Sequence, residues 1–225
     1  MTLARAWFVA GTDTEIGKTF VTCALIHAAR AQGHRSLGMK PVAAGAERVG
    51  TEWINEDAAQ LRAAGSFDPG LELLNPYCLR SPIAPHIAAR EEGVVIAPAT
   101  ILNACASLRT QCDRLFVEGV GGFRVPLGDA WDSADLAREL ALPVILVVGM
   151  RLGCISHALL TAEAIAARGL TLAGWVANTI DPGMLRFAEN RDALRARLDA
   201  PLLGTVHHLA ERDPRAAAAA LTLPD

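Results

Sequence analysis

Residues 6–19 read Ala6-Trp7-Phe8-Val9-Ala10-Gly11-Thr12-Asp13-Thr14-Glu15-Ile16-Gly17-Lys18-Thr19, and the order in which their chemistry changes decides the fold. Five apolar residues suit a buried strand, and the polar stretch between two glycines ends it. From residue 20 to residue 32 apolar side chains return at helical spacing, and Gly33 closes the run. A strand that passes through a glycine loop into a helix is the opening unit of a sheet with crossover helices.

The same alternation continues outward. The sequence predicts further strands at residues 36–40, 114–118, 143–148, 172–178 and 203–206, and helices at 56–64, 98–110, 133–140, 156–168 and 184–198. Leu115-Phe116-Val117 and Val144-Ile145-Leu146-Val147-Val148 are apolar without alternation, as central strands covered on both faces are. The expectation is an α/β fold, a doubly wound, mostly parallel sheet with helices on both faces, in one domain over residues 1–225. Residues 66–85, with Pro69, Pro76, Pro82 and Pro85, read as loop, and residues 216–220 as a short alanine-rich tail.

Composition narrows the class of partner. A chain of 225 residues that is 52% hydrophobic can bury a substantial core. Its 21 basic and 24 acidic residues form no polybasic stripe for nucleic acid or an anionic membrane. Cys23, Cys78, Cys105, Cys112 and Cys154 are odd in number and never spaced as C-x-x-C, so they read as reduced, packed thiols. The first residues lack the order of a signal peptide, and the apolar run 140–150 contains Pro143 and Gly149 and falls short of the roughly 20 residues of a bilayer span. The chain reads as soluble and cytoplasmic.

In an open α/β sheet, ligands bind beyond the carboxyl ends of the strands. There, residues 11–19 resemble a P-loop, in which backbone N–H groups and a helix N-terminus cradle phosphates, the lysine reaches the terminal phosphates and the hydroxyl binds Mg²⁺. Five residues, not four, separate Gly11 from Gly17; the competing reading is an ordinary turn with a solvated lysine. Asp13 and Glu15 are unfavourable beside a polyanion unless they face a cation or an amine. Hard-oxygen candidates for Mg²⁺ are Thr19, Asp57 and Glu118. Asp57 reads equally well as a helix cap, whereas Glu118 ends a buried strand and precedes Gly119-Val120-Gly121-Gly122, where backbone can approach a phosphate. Lys40 ends the second strand and could add its charge to that of Lys18 on a transferring phosphoryl group; chance alone would make it a solvent-facing strand end.

Taken with Lys40-Pro41-Val42-Ala43, Asn75-Pro76-Tyr77, Pro85-His86, Leu152-Gly153-Cys154-Ile155 and Gly174-Trp175-Val176-Ala177-Asn178, these stretches resemble the dethiobiotin synthetase family over about residues 7–211. The five-residue loop spacing belongs to that family's pattern. The resemblance implies ATP- and Mg²⁺-dependent carboxylation of 7,8-diaminopelargonate by CO₂ (bicarbonate) and closure of a ureido ring, with release of ADP and phosphate. It implies that Thr19, Asp57 and Glu118 bind Mg²⁺, that Lys18 and Lys40 stabilise carbamate and phosphoryl charge, and that Thr14 and Glu15 face the substrate. For ATP it implies Glu15, Ile16, Gly17, Lys18, Thr19, Glu118, Gly119, Val120 and Gly121 about the phosphates, with Asn178 and the stretch His207, His208 and Leu209 about the base. It further implies a homodimer in which Gly153, Cys154, Ile155 and Ser156 receive the substrate carboxylate across the interface.

Several positions depart from the family pattern. Ala44 replaces a substrate-contacting serine, Ser156 an asparagine, Arg151 a lysine, and His207 and His208 a proline-aromatic pair. Two other functions compete. A P-loop nucleotide switch of the partitioning or iron-protein type generally carries another lysine early in the loop, where this chain has Thr12, Asp13 and Thr14. A binding module without turnover would fit Ala44 and Ser156 but not the retained Lys18, Thr19, Lys40, Asp57 and Glu118. His27, His34 and His157 read as surface or structural residues, and His86 as a neighbour of the substrate loop.

Overall fold

A computed structural model describes residues 3–208 and 213–224. In chain order its elements are β1 (Arg5–Gly11), α1 (Lys18–Ala31), β2 (Ser36–Met39), β3 (Val42–Ala44), β4 (Ala46–Val49), β5 (Glu52–Asn55), α2 (Glu56–Ala64), α3 (Leu71–Leu74), β6 (Tyr77–Leu79), α4 (Pro85–Glu92), α5 (Pro98–Arg109), β7 (Arg114–Glu118), α6 (Ser133–Leu140), β8 (Val144–Met150), α7 (Cys154–Ala167), β9 (Leu172–Thr179), α8 (Phe187–Arg195), β10 (Leu202–Val206) and α9 (Pro214–Ala218).

Six strands form one wholly parallel sheet in the order β10-β9-β8-β1-β7-β2. The first strand of the chain is therefore interior to the sheet, between β7 and β8, whose apolar cores Leu115–Val117 and Val144–Val148 are fully buried. Side chains alternate across it. Trp7 and Val9 join Val21, Leu25, Ile26 and Leu61 under α1 and α2, while Phe8 and Ala10 join Ile101, Leu108, Leu136 and Ile165 under the helices of the opposite face. Trp7 lies in register with Phe116 on β7, and their rings stack with centroids 5.3 Å apart.

The expected strands and helices are present, with ends displaced by up to three residues. Two expectations fail. Residues 66–85 contain α3, β6 and the start of α4, with β6 paired in parallel with β3. Residues 216–220 are no loose tail. Asp213 caps α9 through Arg215 N, Ala217 is buried with the α1 layer, and Leu221 bridges back to Gly204. Alanine lowers the apparent apolarity of this segment, yet its small size lets the short helix pack closely.

Candidate active site

All strands of the main sheet point the same way, so the loops after β1, β2, β7, β8 and β9 meet along one rim. The loop after β1 turns on two left-handed residues, Glu15 (φ 58°) and Gly17 (φ 79°). Such successive turns aim backbone N–H groups into a shared concavity. Gly17 is the N-cap of α1 and offers no side-chain cap, which leaves the first-turn N–H groups for a ligand. A Cβ on Gly17 would lie 2.3 Å from Asn178 Nδ2, so only glycine fits here. Asn178, near the end of β9, donates from Nδ2 to the Ile16 carbonyl oxygen at 2.7 Å and holds the loop from a strand two places away in the sheet. Ile16 itself is buried and can offer only its backbone.

Lys18 Nζ donates to the Asp13 carbonyl oxygen at 3.0 Å. Burial, then the nearby Lys40 ammonium, lowers its pKa from the ordinary lysine value to about 8. The two loop acids have different fates. Asp13 accepts from Arg151 at 2.6 Å and from Thr14 N at 2.8 Å, so its charge is answered within the chain. Glu15 is exposed at the cleft and makes no ion pair among the described residues.

Beneath the loop lies a buried ionic cluster. Lys40 Nζ donates to Glu118 Oε1 at 2.6 Å and to Asp57 Oδ2 at 2.7 Å, with the Gly119 carbonyl oxygen at 3.4 Å. Thr19 Oγ1 donates to the same Glu118 Oε1 at 2.7 Å. Lys40 is 3% exposed and Glu118 0%, which rules out the solvent-facing strand end that chance would favour for Lys40. Burial opposes the charge on Lys40, but Glu118 and then Asp57 outweigh it and raise its pKa. For half-exposed Asp57 burial is the largest single influence and pushes the pKa up, but Lys40, with smaller help from Thr19 and Lys18, brings the net value below the usual carboxylate range. The helix-cap role considered for Asp57 belongs to Asn55, whose side chain accepts from Asp57 N and Ala58 N and donates to the carbonyls of Ala44 and Gly45. Asp57 is thereby left to face Lys40.

The backbone of Lys40 is anchored as well. Its N–H donates to the Leu74 carbonyl, and Asn75 Nδ2 donates to its carbonyl oxygen at 2.6 Å. Asn75 is a positioning residue that its Asn-Pro-Tyr context marked without giving it a role.

These elements surround a cleft of about 1570 Å³, room for a nucleotide and a second small molecule. Its lining includes Thr14, Glu15, Gly17, Lys18, Thr19, Lys40, Ala44, Asp57, Val120, Gly121, Asn178, His207 and His208. Glu118, Gly119 and Ile16 lie behind that lining. Residues 82–85, Thr179, Ile180 and residues 213–215 also line the cleft, and sequence reading missed them. Leu209 lies outside the described residues. Gly153, Cys154, Ile155 and Ser156 form the start of α7 and do not line this cleft; the Cys154 side chain is buried, so only its backbone is available.

Thr19, Asp57 and Glu118 suit Mg²⁺, a hard ion that takes few protein oxygens and keeps waters. Glu118 Oε2 is buried without a hydrogen-bond partner among the described residues, an open acceptor in the same cluster.

The chain is 74% identical to the ATP-dependent dethiobiotin synthetase BioD of Aromatoleum aromaticum over the full length of both proteins. It belongs to the dethiobiotin synthetase family. The enzyme of that name from Janthinobacterium sp. is 55% identical, covering 98% of this chain and 95% of its own. The family described as an AAA domain matches residues 5–216. Solved structures extend the fold beyond dethiobiotin synthetases. MinD from Pyrococcus horikoshii, a septum site-determining protein complexed with Mg-ADP, aligns with TM-score 0.57 and 17% identity over 96% of this chain and 85% of its own. FtsY from Physcomitrella patens aligns with TM-score 0.54 and 16% identity over 98% and 65%. At those identities the likeness is one of fold alone, a parallel sheet covered by helices.

Proposed function

We propose that the protein is a ligase that uses ATP and Mg²⁺ to carboxylate 7,8-diaminopelargonate with CO₂ and to close the ureido ring of dethiobiotin. The observation that carries this reading is the pairing of Lys40 with Glu118, Asp57 and Thr19 under a phosphate loop, in a chain three-quarters identical to an enzyme of that name.

The reaction runs in three steps. One substrate amine adds to CO₂, giving a carbamate and a proton. A carbamate oxygen attacks the γ-phosphorus of ATP, ADP leaves, and a carbamoyl-phosphate mixed anhydride forms. The second amine attacks the carbonyl carbon, the bond to phosphate breaks, and phosphate and a proton depart. Lys18 and Lys40 supply fixed positive charge where negative charge gathers on the carbamate and the transferring phosphoryl group. Glu15 and Thr14 face the diamine, and the open carboxylate of Glu15 suits an amine better than a phosphate. Thr19, Asp57 and Glu118 would hold Mg²⁺, which would supply positive charge to offset that of the phosphates. Asn178, besides anchoring Ile16, lies with His207 and His208 at the nucleobase end.

The catalytic unit in this reading is a homodimer. Leu152 is 93% and Leu185 86% exposed on neighbouring loops after β8 and β9, and Leu160 extends the apolar surface along α7. A second copy covering it would bring the α7 N-terminus, residues 153–156, to the substrate carboxylate. Ser156 supplies a hydroxyl there, and Ala44 leaves one hydrogen bond near the carbamate to water. In this reading the enzyme works in the cytoplasm. Among the described residues no helix is long and apolar enough to cross a membrane.

ADP release tests the reading against a nucleotide switch and a silent binding module. An enzyme of this kind releases ADP only when diamine and bicarbonate are both present. Release indifferent to the diamine would favour the switch.

A further inference from the structure

We propose that the Lys40 ammonium is the resident cation of the Thr19–Asp57–Glu118 oxygen cage, and that a divalent metal enters by displacing it towards the cleft. The proposal rests on the reading of those three residues as the metal site.

The two oxygens that hold Nζ, Glu118 Oε1 and Asp57 Oδ2, are those on which the three residues converge. Thr19 Oγ1 donates to that same Glu118 oxygen. An ion that took these same two carboxylate oxygens as ligands would compete for the space now filled by the ammonium. Mg²⁺ binds oxygen at about 2.0–2.1 Å, so an ion on both of these oxygens would crowd and repel an ammonium 2.6–2.7 Å from the same two atoms. An ion held instead through Glu118 Oε2, which has no partner among the described residues, would leave the ammonium where it is.

The cage also has reason to keep a cation when no metal is present. Glu118 is wholly buried, and removing Lys40, its one ion-pair partner among the described residues, would leave a poorly compensated charge. Lys40 fills that role on a movable tether. Its backbone is pinned through Leu74 and Asn75, while its side chain borders the cleft near the small Ala44. Metal entry would thus release Lys40 Nζ on the side where the substrate binds, coupling metal loading to the placement of this charge.

The test is Mn²⁺ binding to nucleotide-free protein, followed by the electron paramagnetic resonance signal of the free ion. Lys40→Met should bind Mn²⁺ at least about tenfold more tightly than the wild type, because the competitor is gone. Equal or weaker binding overturns the displacement. Adding Glu118→Gln to Lys40→Met should abolish the gain; binding that ignores Glu118 would overturn the metal-site reading itself, and the proposal with it. A second measurement needs no variant. Acetic anhydride labelling of Lys40 in the wild type, read by peptide mass spectrometry, should rise several-fold with Mg²⁺ alone. Unchanged labelling at saturating Mg²⁺ would show that the ammonium stays in the cage.

Discussion

Asn178 Nδ2 lies 2.7 Å from the Ile16 carbonyl oxygen, a buried hydrogen bond between residues 162 positions apart that fastens the phosphate loop to the end of β9. Asn178→Ala removes the donor and leaves a buried carbonyl unpaired, at about 1–3 kcal/mol. The midpoint of thermal unfolding should fall by roughly 2–10 °C for a chain of this size. ADP should also bind more weakly, measured by calorimetry. A variant that melts lower but binds ADP normally would confine Asn178 to stability.

Gly17→Ala should cost more than its left-handed backbone alone explains. At φ 79° an alanine loses about 1–2 kcal/mol, and its Cβ would stand 2.3 Å from Asn178 Nδ2. Gly33→Ala is the control, since Gly33 has φ 86° and nothing within 4 Å of its Cβ position. Nucleotide binding should be lost in the first variant and kept in the second.

Lys18 should make both stability and nucleotide affinity depend on pH above neutrality. Its folded pKa of about 8 lies below the ordinary 10.5, so between these values the unfolded chain holds more protons and stability rises with pH. Below pH 8 both states are charged and the full burial penalty applies. Phosphate binding needs the ammonium, so ADP affinity should fall above pH 8, and binding near pH 8.5 should take up a proton. Calorimetry in buffers of different ionisation enthalpy measures that uptake.

Asp132 tests the far side of the sheet. Burial raises its pKa, but hydrogen bonds from Asp135 N and Arg124, with Arg168 close by, more than reverse this. It caps α6 in a reciprocal pair with Asp135. Its contribution is present above the ordinary carboxylate pKa and lost as pH falls through the lower folded value. Asp132→Ala should cost about 1–2 kcal/mol by urea unfolding at neutral pH without changing ADP affinity.

The central strands were legible because a strand buried on both faces must be apolar throughout, as Val144 to Val148 is. The phosphate loop was legible because its glycines, lysine and threonine lie together in sequence. Residues 66–85 were opaque for the opposite reason: α3 and β6 are four and three residues long, too short for any periodicity to emerge. Partners distant in sequence were equally hidden. Nothing local to Asp13 announces Arg151, and nothing local to Lys40 shows that it will be enclosed between Asp57 and Glu118. Asp57 was ambiguous because acids are frequent in first helical turns, and only Asn55's occupation of the cap position frees it.

The central claim is the chemistry of the cleft, and labelled bicarbonate tests it most directly. Purified protein with Mg-ATP, 7,8-diaminopelargonate and ¹⁴C-bicarbonate should convert label into an acid-stable ureido product in step with ADP release, and Lys40→Ala should lose incorporation while still binding nucleotide. No acid-stable label at saturating substrate, or undiminished incorporation by Lys40→Ala, would contradict the account.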